Sequence, residues 1–267
     1  MRSIIKLFLS QLLACFNDIY VNMKFVIVIA SYKNAKWYKK NLLSALSQKH
    51  PSFRILYTDD CSPDNTGGLV EEFARKHDKK NLIELIRNTD RKGALKNIYD
   101  MIHRCDDDEV IVTLDGDDWF PDSNVLQRLE KVYAEDVWMT YGQYRRHPDN
   151  SIGCNSQVPP NVIKNNSYRT SNWCTSHLRT FYAWLFKRIK EDDLKHKGKF
   201  FSTAWDLPMM FPMLEMSGTR HRFIPRTMYI YNWENPINDS KVNLKLQEEL
   251  EAVSRAMPKY SVLSKRP

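Results

Sequence analysis

Residues 25–30, Phe-Val-Ile-Val-Ile-Ala, form an unbroken apolar, largely β-branched run. That is the pattern of a strand buried on both faces. Residues 35–48 follow with Trp37, Leu42, Ala45 and Leu46 at helical spacing. Arg54–Thr58 reads as a second strand ending in Asp59-Asp60, and Cys61-Ser62-Pro63-Asp64-Asn65 is turn chemistry. A helix then aligns Leu69, Val70, Phe73 and His77; Leu82–Ile86 is a third strand; Ala94, Leu95, Ile98, Tyr99 and Ile102 mark another helix. Glu109–Leu114 is a fourth strand, after which Asp122 caps a helix bearing Val125, Leu126, Leu129 and Val132. This alternation predicts an α/β fold with a mostly parallel twisted sheet and helices on both faces. Ligands of such sheets bind outside the carboxyl ends of the strands. Polar residues collect at those ends: Ser31-Tyr32, Asp59-Asp60, Asn88 to Arg91, and Asp115 to Asp118.

The alternation stops after residue 144, dividing one domain into a half at 23–144 and a mixed half at 145–267. Residues 145–176 are rich in Asn, Ser and Pro and read as a long loop, the kind that is functional or disordered. Helices are expected at His177–Ile189, Asp206–Met216 and Ser240–Met257, and a strand at Arg222–Tyr231. At the start, Ile4–Phe16 is apolar but interrupted by Lys6, Ser10 and Gln11, too short for a membrane span of about 20 residues. It has a basic start like a signal peptide, but no small-residue cleavage site follows. Met23 is therefore taken to open the folded unit. Residues 1–22 are an extension, loose or lying as an amphipathic helix on a surface, with peripheral membrane contact as one expectation.

Composition narrows the classes. A chain of 267 residues is one large domain or two small ones, and 42% hydrophobic with 27% charged residues argues against disorder. Five cysteines are scattered without a CxxC pair, so neither a zinc site nor a disulfide framework is indicated, and a reducing, cytoplasmic setting is expected. The net charge of +8 suits an anionic partner, and no nucleic-acid-binding pattern accompanies it.

The chemistry concentrates in Leu114-Asp115-Gly116-Asp117-Asp118. Carboxylates crowded at a buried strand end repel one another and call for a cation. Mg²⁺ is commonly held by one or two carboxylates plus substrate phosphates. Asp-X-Asp there reads as a metal–diphosphate site; the plainer alternative is an acidic turn capping the next helix. The aspartates Asp59 and Asp60 are placed to accept from a base N–H or a ribose hydroxyl, while Asp64 and Asn65 suit a turn. Asn88-Thr89-Asp90-Arg91-Lys92-Gly93 puts two cations and a glycine at a helix start, which suits a diphosphate.

Taken in order, these pieces resemble the nucleotide-binding half of family-two glycosyltransferases with the GT-A fold. The resemblance runs from Phe25 to about Gly142: Phe25–Ala30 with Ser31-Tyr32-Lys33-Asn34, Asp59 to Thr66, Asn88 with Arg91, Gly93, Ala94 and Asn97, then Leu114 to Asp118. Cys61 and Pro63 stand where the family usually has Gly and Thr. The resemblance implies transfer of a sugar, with inversion, from a nucleoside-diphosphate donor, UDP foremost, to a glycan, lipid-linked or protein acceptor. It implies that Ser31 and Tyr32 line the base pocket, that Asp59 or Asp60 reads the base, and that Arg91 lies near the diphosphate. It places Asp115 at the ribose or metal and Asp117 on Mg²⁺ or Mn²⁺. It also calls for a catalytic base at a helix start in the acceptor half. Asp206, beside Trp205 and before Leu207-Pro208, is the first choice, with Glu215 and the pair Asp192-Asp193 behind it. His177 and Arg179 are further candidates for the metal or phosphate, and Tyr229 to Pro236 resembles a loop closing over the donor.

Two other readings compete. A sugar-1-phosphate nucleotidyltransferase would also use an α/β sheet and Mg²⁺, but typically carries a Gly-rich loop after the first strand; Ser31 to Lys36 has no glycine. A non-catalytic nucleotide-sugar-binding module is disfavoured by the intact Asp115, Asp117 and Asp118.

Overall fold

The computed structural model describes residues 23–267. The expectations for residues 1–22 lie outside the described residues. The first four strands are β1 (Phe25–Ser31), β2 (Phe53–Asp59), β3 (Ile83–Arg87) and β4 (Val110–Thr113). Helices α1 (Tyr38–Leu46), α2 (Thr66–His77) and α3 (Ala94–Ile102) connect them, and α4 (Val125–Tyr133) follows β4. β2 and β4 flank β1 and β3 flanks β2, all parallel. Phe25 to Ile29 are almost wholly unexposed, as the unbroken apolar run requires of a central strand. The helices turn Leu42, Val70, Phe73, Leu95, Ile98, Val125 and Leu129 onto the sheet.

The second half extends the same sheet. β5 (Met139–His147), β6 (Thr180–Tyr182) and β9 (His221–Asn232) complete the seven-stranded order β3-β2-β1-β4-β6-β5-β9. β6 runs antiparallel to β4 and β5, while β9 runs parallel to β5 across register shifts near Gln143. Between these strands lie α5 (Pro160–Lys164), α6 (Ala183–Lys187), a two-stranded ribbon of β7 (Lys195–His196) and β8 (Lys199–Phe200), and α7 (Asp206–Ser217). Two helices close the chain, α8 (Asp239–Val242) and α9 (Leu244–Ala256).

Three expectations are corrected. The helix expected over 177–189 is a strand followed by a short helix. Thr180 is captured in the sheet, its hydroxyl 2.6 Å from Thr140 Oγ1 and 2.8 Å from Tyr133 Oη, so tertiary partners override local spacing. The helix at the C-terminal end is two helices, and Leu246 is 40% exposed while Leu250 and Ser254 face inward. Asp122 is not the cap of α4, whose cap position is Asn124; Asp122 accepts from the Asn124 amide at 2.8 Å and pairs with Arg128 at 2.9 Å. The stretch 145–176 is less bare than its composition implies, since it holds the end of β5, all of α5 and a 3₁₀ turn at Tyr168–Thr170. No helix among the described residues is long and apolar enough to cross a membrane.

Candidate active site

The carboxyl ends of β1, β4 and β9, the start of α3, the approach to β6 and the start of α7 enclose a cavity of about 260 Å³. Tyr32, Arg91, Asp115, Asp117, Arg179 and Asp206 all line it. The Asp115–Asp118 loop is held from beneath by Asn41 of α1, which is wholly buried. Its Nδ2 donates to the carbonyls of Asp115 at 2.9 Å and Asp118 at 2.8 Å. Gly116 lets this loop lie against β1: a Cβ there would fall 2.6 Å from Ser31 Oγ and 2.5 Å from Asn34 Nδ2. Ser31 is not part of the lining. Its Oγ accepts from Tyr57 Oη at 2.7 Å and Asn34 Nδ2 at 3.0 Å, so it braces the wall.

The three carboxylates of the loop have different surroundings. Asp118 is buried and accepts from Tyr229 Oη at 2.6 Å and the Asn232 amide at 2.7 Å, which ties the loop to β9. Burial, then the charges of Asp117 and Asp115, push its pKa well above the ordinary carboxylate range. Asp117 lines the cavity and accepts from Asn235 Nδ2 at 2.7 Å. Asp115 is pushed up to about 6 by burial, partly offset by the Arg179 guanidinium and reinforced by Asp117 and Asp206. Among the described residues no three His, Cys, Asp or Glu side chains converge to hold an ion alone. Asp115 and Asp117 side by side in one cavity still fit a hard cation that completes its shell with phosphate oxygens and water.

Across the cavity Arg179, 2% exposed, donates from Nη2 to Asp206 Oδ2 at 3.2 Å and approaches His177 Nε2 at 3.3 Å. Its Nε and Nη1 are buried without hydrogen-bond partners. His177 is stacked on Tyr229, with ring centroids 4.5 Å apart. Burial and the Arg179 charge drive its pKa well down, so the ring is neutral. Because Nε2 faces a donor, the proton sits on Nδ1, 4.0 Å from Asp115 Oδ2. Asp206 is the first residue of α7 rather than its cap, which is Trp205.

The paired aspartates at the end of β2 do not line the cavity. Asp60 accepts from Asn88 Nδ2 and the Lys92 and Gly93 amides, each at 2.8 Å. Burial acts to raise its pKa, but the Asn97 side chain together with these hydrogen bonds outweighs it and the net shift is downward. Asp60 thus clamps the turn that presents Arg91, whose guanidinium lies 4.0 Å from the centroid of the Tyr32 ring. Asp59 is buried behind Gly67, where a Cβ would lie 2.7 Å from its Oδ2. Cys61, at the usual glycine position, has φ 58°, the left-handed conformation that glycine adopts most cheaply. Glu215 is remote from the cavity, wholly buried against Arg169. Asp192 is exposed, and Asp193 accepts from Tyr260 Oη at 2.6 Å. Sequence reasoning missed Asn41, and it placed Asn235 only as part of an expected closing loop over Tyr229–Pro236, of which residues 229–232 are the end of β9. A polar residue among the apolar positions of α1 was a usable signal for the first; the second meets Asp117 only through the fold.

The family model for glycosyl transferase family 2 matches residues 26–194, more than half of the chain. The chain belongs to this family. The family-2 chain is 27% identical over 138 residues to the UDP-Glc:alpha-D-GlcNAc-diphosphoundecaprenol beta-1,3-glucosyltransferase WfaP of Escherichia coli, covering 51% of this chain and 52% of that protein. It thus spans about half the length of the curated relative it matches. Among solved structures it is similar to S. aureus TarS 1–349 in complex with UDP-GlcNAc: TM-score 0.64, 16% identity, 87% of this chain and 66% of that one. It is also similar to the mannosyltransferase PcManGT from Pyrobaculum calidifontis in complex with GDP-Man and Mn²⁺: TM-score 0.59, 16% identity, 89% of this chain and 64% of that one. These likenesses show the fold, the GT-A type read from the sequence.

Proposed function

We propose that residues 23–267 form a single domain that transfers a sugar from a nucleoside-diphosphate donor, a UDP-sugar foremost, to an acceptor hydroxyl with inversion. The observation that carries the reading is that the carboxylates of Asp115, Asp117 and Asp206, from the two halves of the chain, line one cavity together with Tyr32 and Arg91. In this reading Tyr32 lies against the base, Arg91 meets the diphosphate, and Asp115 and Asp117 hold Mg²⁺ or Mn²⁺. A divalent cation, when bound, neutralises charge building on the leaving diphosphate. Asp59 and Asp60 act from behind the wall by fixing the turns that carry these groups, and Ser31 does the same for Asp117.

Asp206 is the general base. The acceptor oxygen attacks the anomeric carbon, its proton passes to the Asp206 carboxylate, and the sugar–phosphate bond breaks with its electron pair leaving on the nucleoside diphosphate. Arg179 orients Asp206 through their charged contact at 3.2 Å. The UDP-sugar named in the E. coli relative and the UDP-GlcNAc of the TarS complex support the donor class, and the diphosphoundecaprenol in the relative's name supports a lipid-linked acceptor.

The test is a donor screen scored by nucleoside-diphosphate release, run with Asp206→Asn and Asp117→Ala. A general base contributes about 10²–10⁴-fold, so Asp206→Asn should lose transfer by that order while retaining donor binding. Asp117→Ala should lose metal-dependent donor binding and remain folded. Near-wild-type transfer by Asp206→Asn would remove it from the mechanism. Release of pyrophosphate instead would favour a nucleotidyltransferase, and binding without turnover a non-catalytic module.

A further inference from the structure

From Lys24 to Thr58 the chain carries six lysines and one arginine and not one aspartate or glutamate. The stretch includes α1 and the turn that leads into it. Lys36, Lys39, Lys40 and Leu43 follow at i, i+3, i+4 and i+7, which sets them on one face of that turn and helix. The opposite side, Asn41, Leu42 and Ala45, is buried. All four outward residues are exposed, Leu43 by 46%. Lys33 and Lys49, before and after the helix, are exposed as well.

Among the described residues none of Lys33, Lys36, Lys39, Lys40 and Lys49 forms an ion pair. Two lie on aromatic rings instead: Lys36 Nζ is 4.3 Å from the centroid of Trp37, and Lys40 Nζ 3.5 Å from that of Trp119. An aromatic face attracts an ammonium without cancelling its charge. The acids that come near are engaged elsewhere too. Glu234 acts on the Lys40 ammonium and lies 3.6 Å from His147 Nε2. Asp64 accepts from the Ala35 amide at 3.0 Å and from Thr66 Oγ1 at 2.6 Å.

A cationic helix face with an exposed leucine among the lysines and a tryptophan beside them has the chemistry of a helix lying on an anionic bilayer. A nucleic acid would match the charge but offers Leu43 no apolar medium. The position fits as well. Tyr32 and Asn34, just ahead of α1, line the cavity that holds Asp206. Ile237 lines it too and is exposed, and the apolar exposure continues through Val242, Leu244 and Leu246.

We propose that the face of α1 bearing Lys36, Lys39, Lys40 and Leu43 docks the protein on an anionic lipid surface, with the lysines among the headgroups and Leu43 at the acyl boundary. The choice of a lipid surface rests on the lipid-linked acceptor proposed above. Its test reads vesicle binding without donor or acceptor, so its failure and a failure of the transfer reading are seen separately.

The full chain is sedimented with vesicles of phosphatidylcholine, pure or mixed with phosphatidylglycerol. It should partition onto the mixed vesicles and not the pure ones. Salt at about 1 M, which shortens the screening length to about 3 Å, should release most of it. Near an anionic surface each lysine is worth about fivefold in partitioning, so Lys36→Gln, Lys39→Gln and Lys40→Gln together should weaken binding about 100-fold. Should that triple variant not melt cooperatively, the single variants, each expected to lose about fivefold, decide. Leu43→Ser should weaken binding several-fold. Arg75→Gln, Lys79→Gln and Lys80→Gln together remove the same charge at the amino ends of the strands and should retain most of the binding. The proposal is overturned if the chain does not distinguish the two vesicle types, or if the α1 lysine variants bind like wild type. It is equally overturned if the Arg75, Lys79 and Lys80 variant loses as much as they do. Wild-type binding by Leu43→Ser would overturn it too, leaving a polyanion such as single-stranded RNA as the partner.

Discussion

Gly116 and His221 show how single side chains set the limits of this site and fold. At Gly116 the added methyl of Ala would meet Ser31 Oγ and Asn34 Nδ2 at 2.6 and 2.5 Å, both already committed to hydrogen bonds. Overpacking of this kind costs about 1–3 kcal/mol. Gly116→Ala should melt several degrees lower and bind the donor more weakly, since Asp115 and Asp117 flank the displaced residue. Unchanged melting and unchanged donor affinity together would show that the loop adapts freely. His221 is buried, its Nε2 2.9 Å from Tyr168 Oη, and burial lowers its pKa from 6.5 to about 4, with Arg222 adding to the effect. Folded, it stays neutral; unfolded, it takes a proton below pH 6.5. Its contribution is therefore complete above 6.5 and lost as pH falls through about 4, a loss of about 3 kcal/mol. Urea titrations at a series of pH values should show stability dropping across that window. His221→Asn should flatten the slope, and a variant whose slope matches wild type would clear His221 of this role. Cys61 departs from the family's usual glycine, and its φ of 58° lies in the left-handed region that glycine adopts most cheaply.

At the scale of elements, α7 carries two duties at its two ends. Its first residue, Asp206, faces the cavity, while Glu215 near its other end is wholly buried. Arg169 donates to Glu215 from Nε at 2.6 Å and Nη2 at 3.0 Å, and from Nη1 to the carbonyl of Ser254 in α9 at 2.6 Å. The Tyr260 amide also donates to Glu215, at 2.9 Å. This network fastens α9 and the chain beyond it to α7. Removing one partner leaves a buried charge uncompensated, at about 3–5 kcal/mol. Glu215→Ala should therefore lower the denaturation midpoint sharply, and replacing Arg169 by Leu as well should recover part of the loss. A Glu215→Ala protein of normal stability and lost activity would reverse the assignment and restore Glu215 as a base. The elements before residue 144 were legible because each buries a regular apolar face on one sheet. The mistaken helix at 177–189 came from a segment of continuous burial, where periodicity carries no information and the sheet's hydrogen bonds decide.

For the whole molecule, the proposed donor and cation bridge the two halves, so their binding should stabilise the fold as a unit. A ligand at 100 times its dissociation constant adds about 2.7 kcal/mol. UDP with Mn²⁺ should raise the melting temperature by several degrees, chelation should cancel most of that rise, and Asp117→Ala should show little response to the pair. A full UDP-induced shift in excess chelator would separate nucleotide binding from the metal. The net charge of +8 acts at this scale too, favouring anionic partners generally rather than identifying one.

The sequence by itself determined the sheet of the first half, the strand ends where polar groups gather, and the Asp115–Asp118 loop. Apolar periodicity and turn chemistry are local, and a buried strand followed by acidic residues is written in adjacent positions. Only the tertiary structure decided that Asp60 clamps a turn and that Ser31 braces the wall from behind. It also decided that Glu215 is a structural anion while Asp206 meets Arg179 at the cavity. The reason is that a carboxylate's role depends on its partners and its access to water. Those partners lie 27 residues away for Asp206 and 46 for Glu215, beyond the reach of any local pattern.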